Sequence, residues 1–251
     1  MNPPVTAPAE PTLPGAPFLH RRDGELLLEE VSLDALADAH GTPLFVYSRA
    51  AILAALAAYQ RGLAGREALI CYAVKANSSL ALLKLLGEAG CGFDIVSGGE
   101  LERVLAAGGD PGRIVFSGIG KTPAEMQRAL QAGIRCFNVE SLAELDQLDQ
   151  VARACGRVAP VSIRVNPDVD ARTHPYISTG LTSSKFGIAH DQALQAYRHA
   201  ARLPGLRVTG IDCHIGSQIT QVAPYLEATD RLLELVEAIE TAGITIAHID
   251  F

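Results

Sequence analysis

From about residue 44 onward the chain alternates short apolar runs with amphipathic stretches, and no other feature restricts its fold so tightly. The apolar runs are "LICYAVKA", "GFDIVS", "RIVFSG", "RCFNVES", "VSIRVNP", "RVTGIDCHIG" and "IAHIDF". Between them lie stretches with helical spacing, among them "SLALLKLLGEAG", "TPAEMQRALQAG" and "SLAELDQLDQVARACG". Gly90, Gly133, Gly156 and Gly243 stand where helices should stop, and Ser79, Thr122, Ser141 and Asp191 stand where they should start. Strands alternating with helices require parallel pairing through helical crossovers. A doubly wound open sheet predicts a Gly-rich phosphate loop after the first strand, and "KANSS" is not one. The expected fold is therefore an α/β, (β/α)8 TIM-like barrel, incomplete at about seven strands. The chain ends at Asp250-Phe251 in or beside the seventh strand, so a fragment of a longer protein is expected.

Residues 1–17 are rich in Pro and Ala and read as a disordered tail. Residues 18–45 read as a hairpin around Asp23-Gly24, a helix capped at Ser32 and a strand into "PLFVYS". They form a short segment of a second, β-rich domain, ahead of a barrel over 46–251. The N-terminus has neither a basic region nor an apolar one, so it is no signal peptide. No apolar stretch reaches the ~18 residues of a membrane helix. A net charge of −7 without a cluster of basic residues gives no basis for a nucleic-acid surface. Five cysteines show no CxxC or metal-ligand spacing and read as reduced core thiols. A soluble, cytoplasmic protein acting on a small molecule is expected.

The chemistry gathers at strand ends, where barrels of this kind place it. Lys75 closes the first apolar strand, where burial of an ammonium costs several kcal/mol unless it is paired, neutralised or reaches water. It is either a snorkelling lysine or an activated amine poised to form a Schiff base. Asp94, Arg164 and His214 close later strands and face the same cavity in a barrel. From spacing alone the site is a Schiff-base or phosphate-ligand barrel, with no metal. His20, His40, His174, His190, His199 and His248 lack metal-ligand spacing and read as surface or loop histidines.

"YAVKAN" (72–77), "GFDIVSGGEL" (92–101), "HPYISTGLTSSKFGI" (174–188) and "HIGSQI" (214–219) closely resemble the diaminopimelate decarboxylases. That family belongs to the alanine-racemase-like, fold-type III pyridoxal-phosphate enzymes, and the resemblance runs from about Pro43 to Phe251. It implies pyridoxal 5'-phosphate as cofactor, an amino-acid substrate and a homodimer with shared active sites. Lys75 would hold the cofactor, His214 would stack on its ring, and Ser217 would bind its phosphate. Asp94 and Arg164 would line the cofactor pocket, with Lys75 and His214 as the catalytic pair. Glu100 sits where the wider family lines the same pocket, and Lys185 falls near the family's subunit boundary.

Three other readings fit parts of this pattern. A decarboxylase of ornithine or arginine shares most of these motifs, although "HPYISTG" favours diaminopimelate. Single-barrel pyridoxal-phosphate-binding proteins lack the 18–45 segment and the 174–188 insertion. A class I aldolase carries its Schiff-base lysine on a later strand and has no absorbance near ~420 nm, since that band belongs to the pyridoxal cofactor.

Overall fold

The computed structural model describes residues 13–169 and 186–251. The expectations for residues 1–12, and those for His174, Lys185 and most of 174–188, fall outside the described residues. The chain divides into two compact units, one through Ala68 and one from Leu69 to Phe251.

In the first unit, β1 (Leu19–Arg22), β2 (Glu25–Leu28) and β3 (Val31–Ser32) form an antiparallel sheet. The expected hairpin is present: Asp23 and Gly24 both take positive φ, +52° and +86°, as a tight two-residue turn between twisted strands requires. Ser32 caps α1 (Leu33–His40) by accepting from the Ala35 N–H. A second helix, α2 (Arg49–Gly62), starts at Ser48, whose hydroxyl accepts from Ala51 N. Its Ala-rich sequence buries only Leu56, so it offers little periodic contrast, and it is absent from the expectations above. The strand expected in "PLFVYS" does not form. Leu44 to Tyr47 are exposed, with Phe45 at 86%, and no ladder partner completes a strand there.

The second unit begins with β4 (Cys71–Ala73), a 3-10 turn (Val74–Ala76) and α3 (Leu80–Glu88). It continues through β5 (Gly92–Ile95), α4 (Gly98–Ala106), β6 (Ile114–Phe116) and α5 (Pro123–Ala132). Then come β7 (Cys136–Val139), α6 (Leu142–Ala154), β8 (Ala159–Asn166) and a short β9 (Ile188–Ala189). It ends with α7 (His190–Ala200), β10 (Leu206–Asp212), α8 (Ala223–Thr241) and β11 (His248–Asp250). The main sheet runs β11-β10-β8-β7-β6-β5-β4, parallel throughout, with β9 paired to the end of β8.

This sheet is curled. Two strands separate β7 from β11, yet Asn138 Nδ2 donates to Asp250 Oδ2 at 2.9 Å and Cys136 Sγ lies 3.8 Å from His248 Nε2. Only a concave face brings such strands together, and the result is the expected incomplete (β/α)8-type barrel with seven main strands. Alternate residues point outward and build the core against the helices: Phe93, Ile95, Phe116, Phe137 and Ile163 meet Leu101, Met126, Leu145 and Leu148, all at most 1% exposed. Phe116 and Phe137 stack at 5.9 Å.

The caps behave largely as the sequence implies. Thr122 and Glu125 form a reciprocal capping box on α5, Ser141 caps α6, and Gly133 ends α5 at φ +76°. Such a cap contributes about 1 kcal/mol. Asp191 departs from expectation: Ala189 holds the cap position of α7, and Asp191 lies in the first turn, where its charge still suits the helix dipole. His248 is a correction. It lies on β11 inside the curl, and its ring occupies the space left by Gly210, where a Cβ would stand 2.3 Å from Nε2.

Candidate active site

The loop after β4 explains how a lysine can end a core strand. Val74 is fully buried, and the 3-10 turn then swings Lys75 out into solvent. The loop is pinned on both sides. The Tyr72 hydroxyl donates to Asn77 O at 3.2 Å, Asn77 Oδ1 accepts from Ser79 N at 2.9 Å, and Arg103 Nε donates to Ser78 O at 2.7 Å. Small polar residues after the lysine thus serve as a short, self-bonded turn.

Around the strand ends the concave face carries charge. Paired residues of neighbouring strands share a face, and the register aligns Arg164 on β8 with Asp212 on β10 and Asp250 on β11. Asp94 on β5 joins them through hydrogen bonds: it bonds to Ser117, Ser117 Oγ accepts from Asn138 Nδ2 at 3.2 Å, and the same amide donates to Asp250. Burial drives the Asp212 carboxyl well above the usual carboxylate range, and the neighbouring Asp250 adds to the shift. Burial likewise lifts Asp94 to about 6; Asp250 and Glu100 push the same way, while Ser117 and Lys75 oppose. Asp94 Oδ1 and Arg164 Nε are buried without hydrogen-bond partners among the described residues.

His214 follows β10 on the same rim. Burial, then the positive charges of Arg164 and Lys75, lower its pKa below the ordinary imidazole value, with Asp250 opposing. The imidazole is therefore neutral at pH 7. Ser217 lies three residues further, exposed, between Gly216 at φ +141° and Gln218 at φ +58°. Arg164 is held by Glu140, with its Nη1 at 3.3 Å from both carboxylate oxygens, and its guanidinium lies 5.7 Å over the Phe186 ring.

Lys75 thus lies within electrostatic range of Asp94 and of His214, and His214 within range of Arg164, with Ser217 on the turn that follows His214. Glu100 does local work: Ser97 caps its N–H, and its own Oε2 accepts from Val96 N at 2.8 Å. Sequence reasoning missed Asp212 and Asp250, although the repeated Ile-Asp ending of "GID" and "HID" at two strand ends was a usable signal. Among the described residues no group of three His, Cys, Asp or Glu side chains is placed to hold a metal ion. None of their helices is long and apolar enough to cross a membrane.

The raised Asp94 carboxyl has a measurable consequence. Its folded-state pKa of about 6 exceeds the ordinary 3.8, so the native state binds this proton more tightly than the unfolded chain. Its contribution to stability therefore falls as pH rises between those two values, by about 3 kcal/mol at most. Asp94→Asn should leave stability unchanged below pH 3.8 and raise it above pH 6, as read by urea denaturation across that range. A variant equally stable relative to wild type at every pH would contradict the assignment.

A parallel, helix-backed half-barrel with a lysine in the turn after its first strand, and acids, a guanidinium and an imidazole along the same rim, is a site-bearing α/β barrel rather than a scaffold. Residues 49–251 match the family described as "pyridoxal-dependent decarboxylase, pyridoxal binding domain", and the chain belongs to that family. Pyridoxal phosphate is the cofactor of that domain. The chain is 58% identical over 233 residues to diaminopimelate decarboxylase of Vibrio cholerae, a match covering 93% of this chain and 56% of that protein. Among solved structures it resembles diaminopimelate decarboxylase from M. jannaschii in co-complex with L-lysine: TM-score 0.86, 36% identity, 93% of this chain and 56% of that one. It also resembles diaminopimelate decarboxylase from Helicobacter pylori complexed with L-lysine: TM-score 0.82, 41% identity, 85% of this chain and 54% of that one. The chain spans about half the length of the curated relatives it matches.

Proposed function

We propose that the full-length protein decarboxylates meso-diaminopimelate to L-lysine and CO2, as a cytoplasmic homodimer, with pyridoxal phosphate held by Lys75. The observation that carries this reading is the solvent-reaching Lys75 amine after β4, electrostatically coupled to Asp94 and His214. The residues fit the cofactor on several counts. Lys75 offers a nucleophilic amine, Ser217 an exposed hydroxyl for a phosphate oxygen, and Arg164 a buried Nε–H lacking a partner among the described residues. When bound, the cofactor supplies an electron sink that stabilises the carbanion left as CO2 departs.

What this chain's residues contribute follows from their environments. Asp94, with its pKa near 6, takes or returns a proton beside the Lys75 amine at neutral pH. His214 presents a flat, neutral ring, which covers an aromatic face without adding charge to it. Arg164, restrained by Glu140, keeps a fixed cation on the rim. The outward apolar core and the pinned 74–79 turn hold these groups in register, as precise positioning requires.

Identity to the diaminopimelate decarboxylases, at 58% with the Vibrio cholerae protein, supports the substrate. CO2 release from meso-diaminopimelate, ornithine and arginine, measured side by side with the full-length protein, tests it. Diaminopimelate should be preferred by about 10⁴-fold or more in kcat/KM, the scale on which a site built to hydrogen-bond a substrate group rejects an analogue lacking it. Preference for ornithine or arginine would reassign the substrate.

A further inference from the structure

Among the described residues the buried lysine is Lys121, and it lies outside everything assigned above. It sits in the loop between β6 and α5, its side chain completely inaccessible to solvent. A buried ammonium needs a partner for each proton, and Lys121 has three: Gly118 O at 2.6 Å, Asn138 O at 2.7 Å and Glu144 Oε1 at 2.7 Å. The Phe116 ring lies beneath, 5.6 Å from Nζ. With every donor engaged and no solvent path, Lys121 is no rival to Lys75 as a nucleophile.

Its partners are more informative than its burial. Glu144, the first-turn acid of α6, passes the contact on through Oε2, which accepts from Glu140 N at 3.0 Å. Glu140 accepts from Gly118 N at 3.0 Å and from the Arg164 guanidinium. Gly118 is thus gripped at both ends, its carbonyl by Lys121 and its N–H by Glu140, in a left-handed conformation at φ +91°. Asn138, whose carbonyl Lys121 also holds, directs its side chain to Ser117 and Asp250. Hence one ammonium fixes the ends of β6 and β7 and, through Glu144 and Glu140, the guanidinium on β8.

We propose that Lys121 is a positioning residue: it sets the Glu140 carboxylate, and through it the orientation in which Arg164 meets the cofactor. The proposal rests on the reading of Arg164 as a cofactor-pocket residue. A hydrogen-bonded network of this kind couples its members more strongly than separate pairs, so its signature is non-additivity with Arg164.

The test uses full-length apoenzyme titrated with pyridoxal phosphate, for wild type, Lys121→Met, Arg164→Lys and the double variant, with thermal melting of each. Lys121→Met should weaken cofactor binding about tenfold, Arg164→Lys by a similar factor, and the double variant by no more than about twofold beyond the weaker single. Losses that multiply in the double variant would show that Lys121 does not act through Arg164 and overturn the proposal. A lowered melting temperature with binding within twofold of wild type overturns it too, because that is a purely structural lysine. Weakened binding in Lys121→Met with none in Arg164→Lys removes both this route and the reading of Arg164. Should Lys121→Met not fold, Glu144→Gln leaves Lys121 its two carbonyls and one acceptor. It should weaken binding about threefold alone and not at all in the Arg164→Lys background; an equal threefold loss in both backgrounds overturns the proposal.

Discussion

Lys75→Ala in the full-length protein is expected to abolish the cofactor's absorbance near ~420 nm, which reports covalent attachment through a lysine. CO2 release should fall by about 10³-fold or more, the scale seen when a nucleophile is removed from an assembled site. Stability should barely change, because the side chain is exposed after the strand and the buried residue of that turn is Val74. This separates Lys75 from a structural lysine, whose loss lowers stability and activity together. Retained absorbance at normal intensity, with wild-type melting, would place the attachment elsewhere.

Glu140→Ala should produce the largest loss of stability among the rim residues. The Glu140 side chain is 3% exposed and that of its partner Arg164 only 12%, so the substitution leaves a buried guanidinium without its counter-charge and the Gly118 N–H without its acceptor. Breaking a buried pair by removing one member costs about 3–5 kcal/mol. Glu140→Gln keeps an oxygen for Gly118 and loses only the charge, and should cost about 1–3 kcal/mol. Denaturant unfolding of the two variants distinguishes these values. Equal, small losses in both would mean that Arg164 finds another partner and that Glu140 does not anchor it.

Which of these features the sequence disclosed follows from the range of the forces involved. Strands and helices of the barrel unit were legible because their apolar periodicity is local, and because Thr122, Ser141 and Gly133 mark helix ends by chemistry confined to one turn. The failures are tertiary. "PLFVYS" has the composition of a strand but no neighbour to pair with, and His248 reads from sequence as a surface or loop histidine because nothing nearby in sequence shows that Gly210 leaves room for its ring. At the candidate site, Lys75, Asp94, Arg164 and His214 stand out by the rule that strand ends carry chemistry, which needs only the strand count. Lys121 escaped that rule because "GKTP" reads as a solvated loop. Its three acceptors come from Gly118, Asn138 and Glu144, the farthest 23 residues away, and only the folded sheet brings them together. Asp212 and Asp250 were visible as residues, but the raised Asp212 carboxyl comes from burial in the folded sheet, with the charge of Asp250 on the neighbouring strand adding to it.

Borohydride reduction of the full-length protein loaded with pyridoxal phosphate, followed by proteolysis and peptide mapping, tests the central claim most directly. The reduced cofactor should be found on the peptide spanning "YAVKAN", at Lys75 alone. A label on Lys121, on any other lysine, or on none would contradict the placement of the cofactor at the end of the first barrel strand.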